Sequence, residues 1–466
     1  MSIFPKDFVW GVSTDAYQIE GGGQANGRGV STWDAIRKEP GRILDGSDPN
    51  TNIKGYENWK EDIQLIKNLN VTHYRLSLNW SRILPYGDIN CINEEGVKYY
   101  RALLEELVAN NIEPIVTLYH FDMPLRLYRN DSWLNESSIS WYEDFCRLCF
   151  EKYGDLVKLW LTSNDMPMRA WNELSKLDGE AFFGVTGVFE ENVKRIPFKA
   201  AHHMLLAHAK VYRMYKKEFF DKQNGKIGVG LGGDWFYPKT SDDVETARRA
   251  ETFSFDWLVQ PIFGKDGDYP LEMRECLGKN SWDYLPEFTE EQKEELKGSA
   301  DFLGFNFYRP TLVESGVGES TKEKIVQFKY SEDDYEKLCG NDFWVRYKPE
   351  GLEDLLNYIK DHYNNIPTLI TENGVADLFD ESADPLQDDH RIRYIDGHIN
   401  AVKRAIENSC NVMGFIVWSL MDNFEWNDGF AVKFGLYSVD MADENRKRTA
   451  KKSVEYYKNL IQENRH

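Results

Sequence analysis

Cysteine is scarce in this sequence, with six residues in 466. That density excludes a small disulfide-stapled scaffold, and no second Cys-x-x-Cys stands at zinc spacing. Cys146 and Cys149 form one such pair, but they lie in the helical stretch "WYEDFCRLCFEKYG", where thiols packed on a helix face are the simpler reading. Long apolar runs are missing as well: none reaches the roughly 20 residues that a membrane helix needs. The first residues, "MSIFPKDFVWG", hold one lysine and no apolar signal core. The chain is therefore expected to be cytoplasmic, without a membrane partner. Positive charge is in deficit, with 56 Lys and Arg against 77 Asp and Glu, a net charge of −21. Such a balance repels phosphate backbones and anionic lipids, which counts against nucleic acid as a partner. There is no low-complexity tract, and no G-x-G-x-x-G opens a helix after the first strand, which argues against an open dinucleotide-binding sheet. Aromatics, by contrast, are plentiful: 14 Trp, 25 Tyr and 26 Phe. They are enough for a large core and for the flat faces that a sugar site uses.

Eight short β-type runs recur, at 8–14, 71–80, 113–120, 156–165, 226–235, 302–308, 367–374 and 414–423. Between them lie stretches of helical period, among them "EEGVKYYRALLEELVANN" and "GLEDLLNYIKDHYNN", in which Leu, Tyr and Ile recur at three and four opposite charged residues. Strands alternating with helices predict an α/β fold with a parallel sheet covered by helices. Eight of them predict a closed TIM-type (β/α)8 barrel, a single domain over residues 1–466. The longer intervals after the fourth, fifth and sixth strands are expected to be loops and short helices at the barrel mouth.

The ends of these runs carry Gln18, Arg75, Asn79, His120, Asn164, Asp165, Asp234, Asn306, Tyr308, Glu372, Trp418, Glu425 and Trp426. Each has a dull explanation alone; polar and amphipathic groups converging at nearly every strand end do not. In such barrels chemistry sits at this C-terminal face. Two of the groups are acids, Asp165 in "LTSNDMP" and Glu372 in "LITENG". Two carboxylates across a sugar ring are what glycoside hydrolysis needs: one attacks the anomeric carbon, the other protonates the departing oxygen. A gap of ~5–5.5 Å implies retention of configuration and ~6.5–9.5 Å inversion. Arg75 pairing with one carboxylate favours its ionised form, and Tyr308 can bond the same oxygen pair. The proton donor needs a raised pKa, which burial or a neighbouring negative charge supplies.

From "FPKDFVWGVSTDAYQIEGG" through "HYRLSLNWSRILPYG", "TLYHFDMP", "FLGFNFY" and "LITENG" to "VWSLMDNFEWNDGFAVKFGLYSVD", the sequence resembles the family 1 glycoside hydrolases, the β-glucosidase family. It looks most like the cytosolic-type β-glucosidases of animals. The resemblance implies a retaining β-glycosidase acting on small β-D-glucosides, with no metal and no cofactor. Glu372 matches the nucleophile, with Arg75 and Tyr308 as its partners. Asp165 stands at the acid/base position, where the family usually has glutamate. Asn164 matches the amide on the sugar 2-hydroxyl. Gln18, His120, Glu425 and Trp426 match the hydrogen-bonding set for the non-reducing sugar, Asn306 joins the substrate-binding residues, and Trp418 matches the stacking platform.

Three departures from the family pattern stand out. Asp165 is one methylene shorter than glutamate, which draws its oxygens back by roughly 1–1.5 Å, and ~1 Å of misplacement can cost ~10²-fold in rate. The segment "MRAWNELSKLDGEAFFGVTG" lacks the usual Gly-x-x-Ala-Pro-Gly run, so a remodelled leaving-group side is expected. Asp15 and Asp234 replace small or apolar residues; the plain expectation is that they face solvent, the sharper one that one of them faces the leaving-group subsite. Rival readings are a catalytically impaired sugar-binding protein, as in the Klotho proteins, and a transglycosylase.

Overall fold

The computed structural model describes residues 3–48, 52–166, 196–278, 284–318, 326–339, 344–380 and 382–465. Eight parallel strands close on themselves: β1 (Val9–Ser13), β2 (His73–Ser77), β3 (Glu113–Thr117), β4 (Leu159–Leu161), β5 (Lys226–Gly232), β6 (Phe302–Asn306), β7 (Thr368–Asn373) and β8 (Val412–Trp418). Each pairs with its neighbours in chain order, and β8 closes on β1 through Val9–Gly414 to Ser13–Trp418. The strands read as near-continuous apolar runs because both faces are covered. Val9, Ile115, Leu161, Phe302, Leu369 and Ile416, one from each of six strands, form a cluster to which no helix contributes. That cluster is the filling of the barrel itself. Alternate residues of the same strands, such as Tyr74, Leu76, Val116, Leu303 and Ile370, belong instead to the large outer core shared with the helices.

The outer layer is built from α1 (Gly55–Asn68), α2 (Glu94–Ala109), α3 (Ser138–Tyr153), α4 (Ile196–Glu218), α5 (Glu350–His362), α6 (Asp389–Glu407) and α7 (Lys452–Asn464). The helical period does this work. In α5, Leu352, Leu355, Leu356 and Ile359 are buried, one stripe at three and four. In α3, Cys146 and Cys149 are buried free thiols on the core face, as their helical setting suggested.

The mouth is richer than expected. The interval after β5 holds short helices, such as Val244–Glu251 and Glu290–Leu296, as anticipated. It also begins with a strand, Trp235–Pro238, which joins Pro310–Ser315 and Phe328–Tyr330 in a separate three-stranded sheet. The interval after β4 ends in α4, a helix of 23 residues rather than a short one.

Strand β7 carries an irregularity at its business end. Against β6, Ile370 pairs with Phe305 and Glu372 with Asn306, so Thr371 has no counterpart. Inward and outward directions alternate along a strand. Leu369 faces the barrel interior and Ile370 the helices, so unbroken alternation would send residue 372 outward. The extra residue re-aims Glu372 inward, a known use of a bulge at a barrel rim.

Candidate active site

Arg75 is the centre of the constellation. On β2, residues 73, 75 and 77 share the inward face, and the guanidinium of Arg75 is buried at the top of the barrel filling. It donates from Nη1 to Glu372 Oε1 at 2.7 Å, from Nη2 to Asn164 Oδ1 at 2.6 Å and from Nε to Thr117 Oγ1 at 3.1 Å. A buried cation is tolerable only when paired and fully bonded, and these contacts supply that. The second oxygen of Glu372 accepts from the Tyr308 hydroxyl at 2.7 Å. Burial, with the Glu372 charge beside it, pushes the Tyr308 pKa well up, so it stays a donor. Tyr308 is held in turn by Tyr394, whose hydroxyl donates to its backbone carbonyl at 2.7 Å. The nucleophile candidate thus has one carboxylate oxygen fixed from β2 and the other from the segment just past the end of β6.

The acid position lies one residue beyond a group that Arg75 also holds. Asn164 Oδ1 accepts additionally from Asn306 Nδ2 at 3.1 Å, and Asn306 Oδ1 accepts from Thr371 Oγ1 at 2.8 Å. Asp165 follows with a left-handed backbone, φ +44°, and a half-buried side chain. Carbons of this hand crowd the backbone; aspartate and asparagine tolerate it better than longer residues do.

The sugar-contact candidates form a second wall. Gln18 is buried in the short helix Ala16–Ile19. Its Nε2 donates to Asn423 Oδ1 at 3.0 Å and Phe424 O at 2.8 Å, leaving Oε1 with no partner among the described residues. Glu425 Oε2 stands 3.5 Å from the same Nε2. Burial, then the charges of Asp428 and Glu372, push Glu425 up to about 8. His120 Nε2 sits 3.0 Å from Asn164 Nδ2. Its ring lies 5.9 Å from Trp426 and 6.4 Å from Trp418. Trp426 is itself flanked by Trp33 at 4.6 Å and stacked with Tyr17. Trp418 packs with Tyr308, Val375 and Phe434.

The sequence of this chain matches glycosyl hydrolase family 1 from residue 1 to residue 466. The chain belongs to glycosyl hydrolase family 1. Among relatives, Myrosinase 1 of Brevicoryne brassicae is 36% identical over 471 residues, covering 98% of each chain. The cytosolic beta-glucosidase of Homo sapiens is 36% identical over 475 residues, covering 99% of this chain and 98% of the relative. The crystal structure of a beta-glucosidase from the fungus Humicola insolens in complex with glucose superposes with a TM-score of 0.90 at 34% identity, over 100% of this chain and 99% of the other. A family 1 member with this barrel is an O-glycosyl hydrolase.

Within this family member, Asp15 and Asn79 do something other than what their position suggested. Asp15 does not face solvent: it is fully buried, with Oδ2 3.3 Å from His120 Nδ1. Asp234 is half-buried, with the charge of Arg309 beside it. Asn79 caps the helix Trp80–Ile83, accepting from Arg82 N at 3.0 Å. The segment 168–187, expected to remodel the leaving-group side, lies outside the described residues. Sequence reasoning missed Thr117, Thr371 and Asn423, whose side chains hold Arg75, Asn306 and Gln18. The signal was there for the threonines: both are hydroxyl groups within otherwise apolar strands.

Proposed function

We propose that this β-glycosidase hydrolyses the β-glycosidic bond of small β-D-glucosides by the two-step retaining route, with Glu372 as nucleophile and Asp165 as acid and then base. Glu372 attacks the anomeric carbon as the bond to the leaving oxygen breaks, and Asp165 delivers its proton to that oxygen. Asp165 then takes a proton from water, which attacks the same carbon and frees Glu372. The observation that carries this reading is the double grip on Glu372 by Arg75 and Tyr308, an environment that a pure sugar-binding wall does not need. Gln18, His120, Asn164, Asn306, Trp418, Glu425 and Trp426 bind the glucosyl ring. The whole chain acts as one barrel domain. A cytoplasmic location fits the likeness to the human cytosolic enzyme; among the described residues no helix is long and apolar enough to cross a membrane.

The test is a 2-fluoro-β-glucoside with a dinitrophenolate leaving group, followed by peptide mapping. One sugar per chain on the peptide bearing Glu372 is expected. A label elsewhere, or none from a protein that turns over the parent aryl glucoside, overturns the assignment. Because Asp165 is the shorter acid, activated aryl glucosides should turn over faster than alkyl glucosides or disaccharides by ~10²-fold or more.

A further inference from the structure

Asp15 is a buried acid at the mouth that the mechanism above leaves unused. Its Oδ1 accepts from the backbone N–H of Gln18 at 3.1 Å, and its Oδ2 from the Ser77 hydroxyl at 2.8 Å. The same Oδ2 lies 3.3 Å from His120 Nδ1. On the other side of the imidazole, Nε2 meets Asn164 Nδ2 at 3.0 Å. The orientation of that amide is not free. Arg75 has only donors, so the atom of Asn164 that it bonds at 2.6 Å is the carbonyl oxygen. The amide nitrogen must then face His120, and Nε2 must accept. A neutral imidazole with an accepting Nε2 carries its proton on Nδ1, pointing at Asp15.

We propose that Asp15 is a positioning residue for the glycosidase reaction: through the His120 Nδ1–H it fixes the ring so that Nε2 presents a lone pair to Asn164 and to the sugar. This deepens the reading of His120 as a sugar contact and rests on it. The relay then runs unbroken from the floor of the pocket to the nucleophile, Asp15 to His120 to Asn164 to Arg75 to Glu372. Removing the carboxylate would let the ring carry its proton on Nε2, donor against donor at Asn164. The acids around Asp15 are Glu20, Asp122, Glu372 and Glu425; Arg82 and Arg75 pair with Glu20 and Glu372 among them, and the neutral imidazole of His120 faces Asp15 itself. Burial, with Glu20 and Glu372 adding to it, raises Asp15 to about 7, so its grip on His120 strengthens as it ionises around neutrality.

Two measurements test this. In the wild-type protein labelled with ¹⁵N-histidine, the His120 signals, assigned by their loss in His120→Gln, should report the Nδ1–H form and shift between pH 6 and 8. The Nε2–H form, or shifts that ignore pH over this range, would overturn the proposal without any Asp15 variant. In Asp15→Asn, glucose inhibition should weaken about tenfold and lose the component of its pH dependence centred near 7, leaving that of Glu425 near 8, and the same change should add nothing in a His120→Ala background. An equal loss in both backgrounds would mean that Asp15 merely supports the fold and would refute its action through His120. Failure of the wild type to turn over aryl glucosides would refute the enzyme reading instead, while the tautomer would still decide the role of Asp15.

Discussion

Asp165 combines a short side chain with a left-handed backbone, and the two facts pull its replacement in opposite directions. Asp165→Glu restores ~1 Å of reach and should raise kcat on alkyl glucosides or cellobiose by ~10-fold or more, with a smaller gain on aryl glucosides. The longer side chain fits the left-handed region less well, so a stability loss of about 0.5–1 kcal/mol is expected in thermal melts. Equal rate gains on both substrate classes would remove Asp165 from the acid role. Arg75→Met breaks a buried ion pair and leaves Glu372 and Asn164 without their shared donor; about 3–5 kcal/mol of stability should go with it, along with nearly all turnover. At this scale the sequence was most readable where chemistry dictates residue type. Glu372, Arg75, Tyr308 and Asn164 were each legible from their place at a strand end, and the structure joins them through hydrogen bonds. Asp15 was misjudged because position at a tip does not say whether a carboxylate lies before or behind its neighbour.

The elements were legible because barrel strands are apolar on both faces and bounded by polar turns. All eight expected runs overlap a barrel strand, β8 beginning at Val412, two residues before its run. Their ends were overdrawn: the run at 71–80 yields only His73–Ser77, since Asn79 begins a helix, and the run at 156–165 yields Leu159–Leu161. The small outer sheet escaped notice because its strands, such as Phe328–Tyr330, are short and partly exposed. Strand β5 shows what pattern can reveal. Ile227, Val229 and Leu231 join the outer core, so Gly228, Gly230 and Gly232 line the interior. A Cβ on Gly230 would lie 2.2 Å from the Ser163 carbonyl oxygen, which leads directly into Asn164 and Asp165. Gly230→Ala should therefore push this exit of β4 aside, costing about 1–3 kcal/mol and lowering kcat by ~10-fold or more; melts and steady-state rates check both.

For the molecule as a whole, buried ionisable groups set the pH response. Asp62 is raised to about 6, Asp15 to about 7 and Glu425 to about 8, each chiefly by burial. An acid whose folded pKa exceeds its unfolded value binds more protons when native, so stability falls as pH rises toward the folded pKa. Burial lowers His202 to about 3 and His208 and His398 to about 4; these oppose the trend only below their unfolded value near 6.5. Between pH 6.5 and 8.5 the acids act alone, and a loss on the order of 2–3 kcal/mol is expected, seen as a falling melting temperature. Asp15→Asn should make that fall shallower.

The surplus residue in β7 bears on how such a protein can change over generations. The aim of Glu372 depends on a bulge, since Thr371 stands unpaired between two residues that do pair with β6. Drawing the strand into regular pairing with every residue kept would turn Glu372 toward the helices, however well the side chains packed. Drift in composition along this strand can be absorbed, whereas flattening of the bulge at full length cannot, so lineages of this length that keep the activity must inherit the irregular pairing even where they lose the letters.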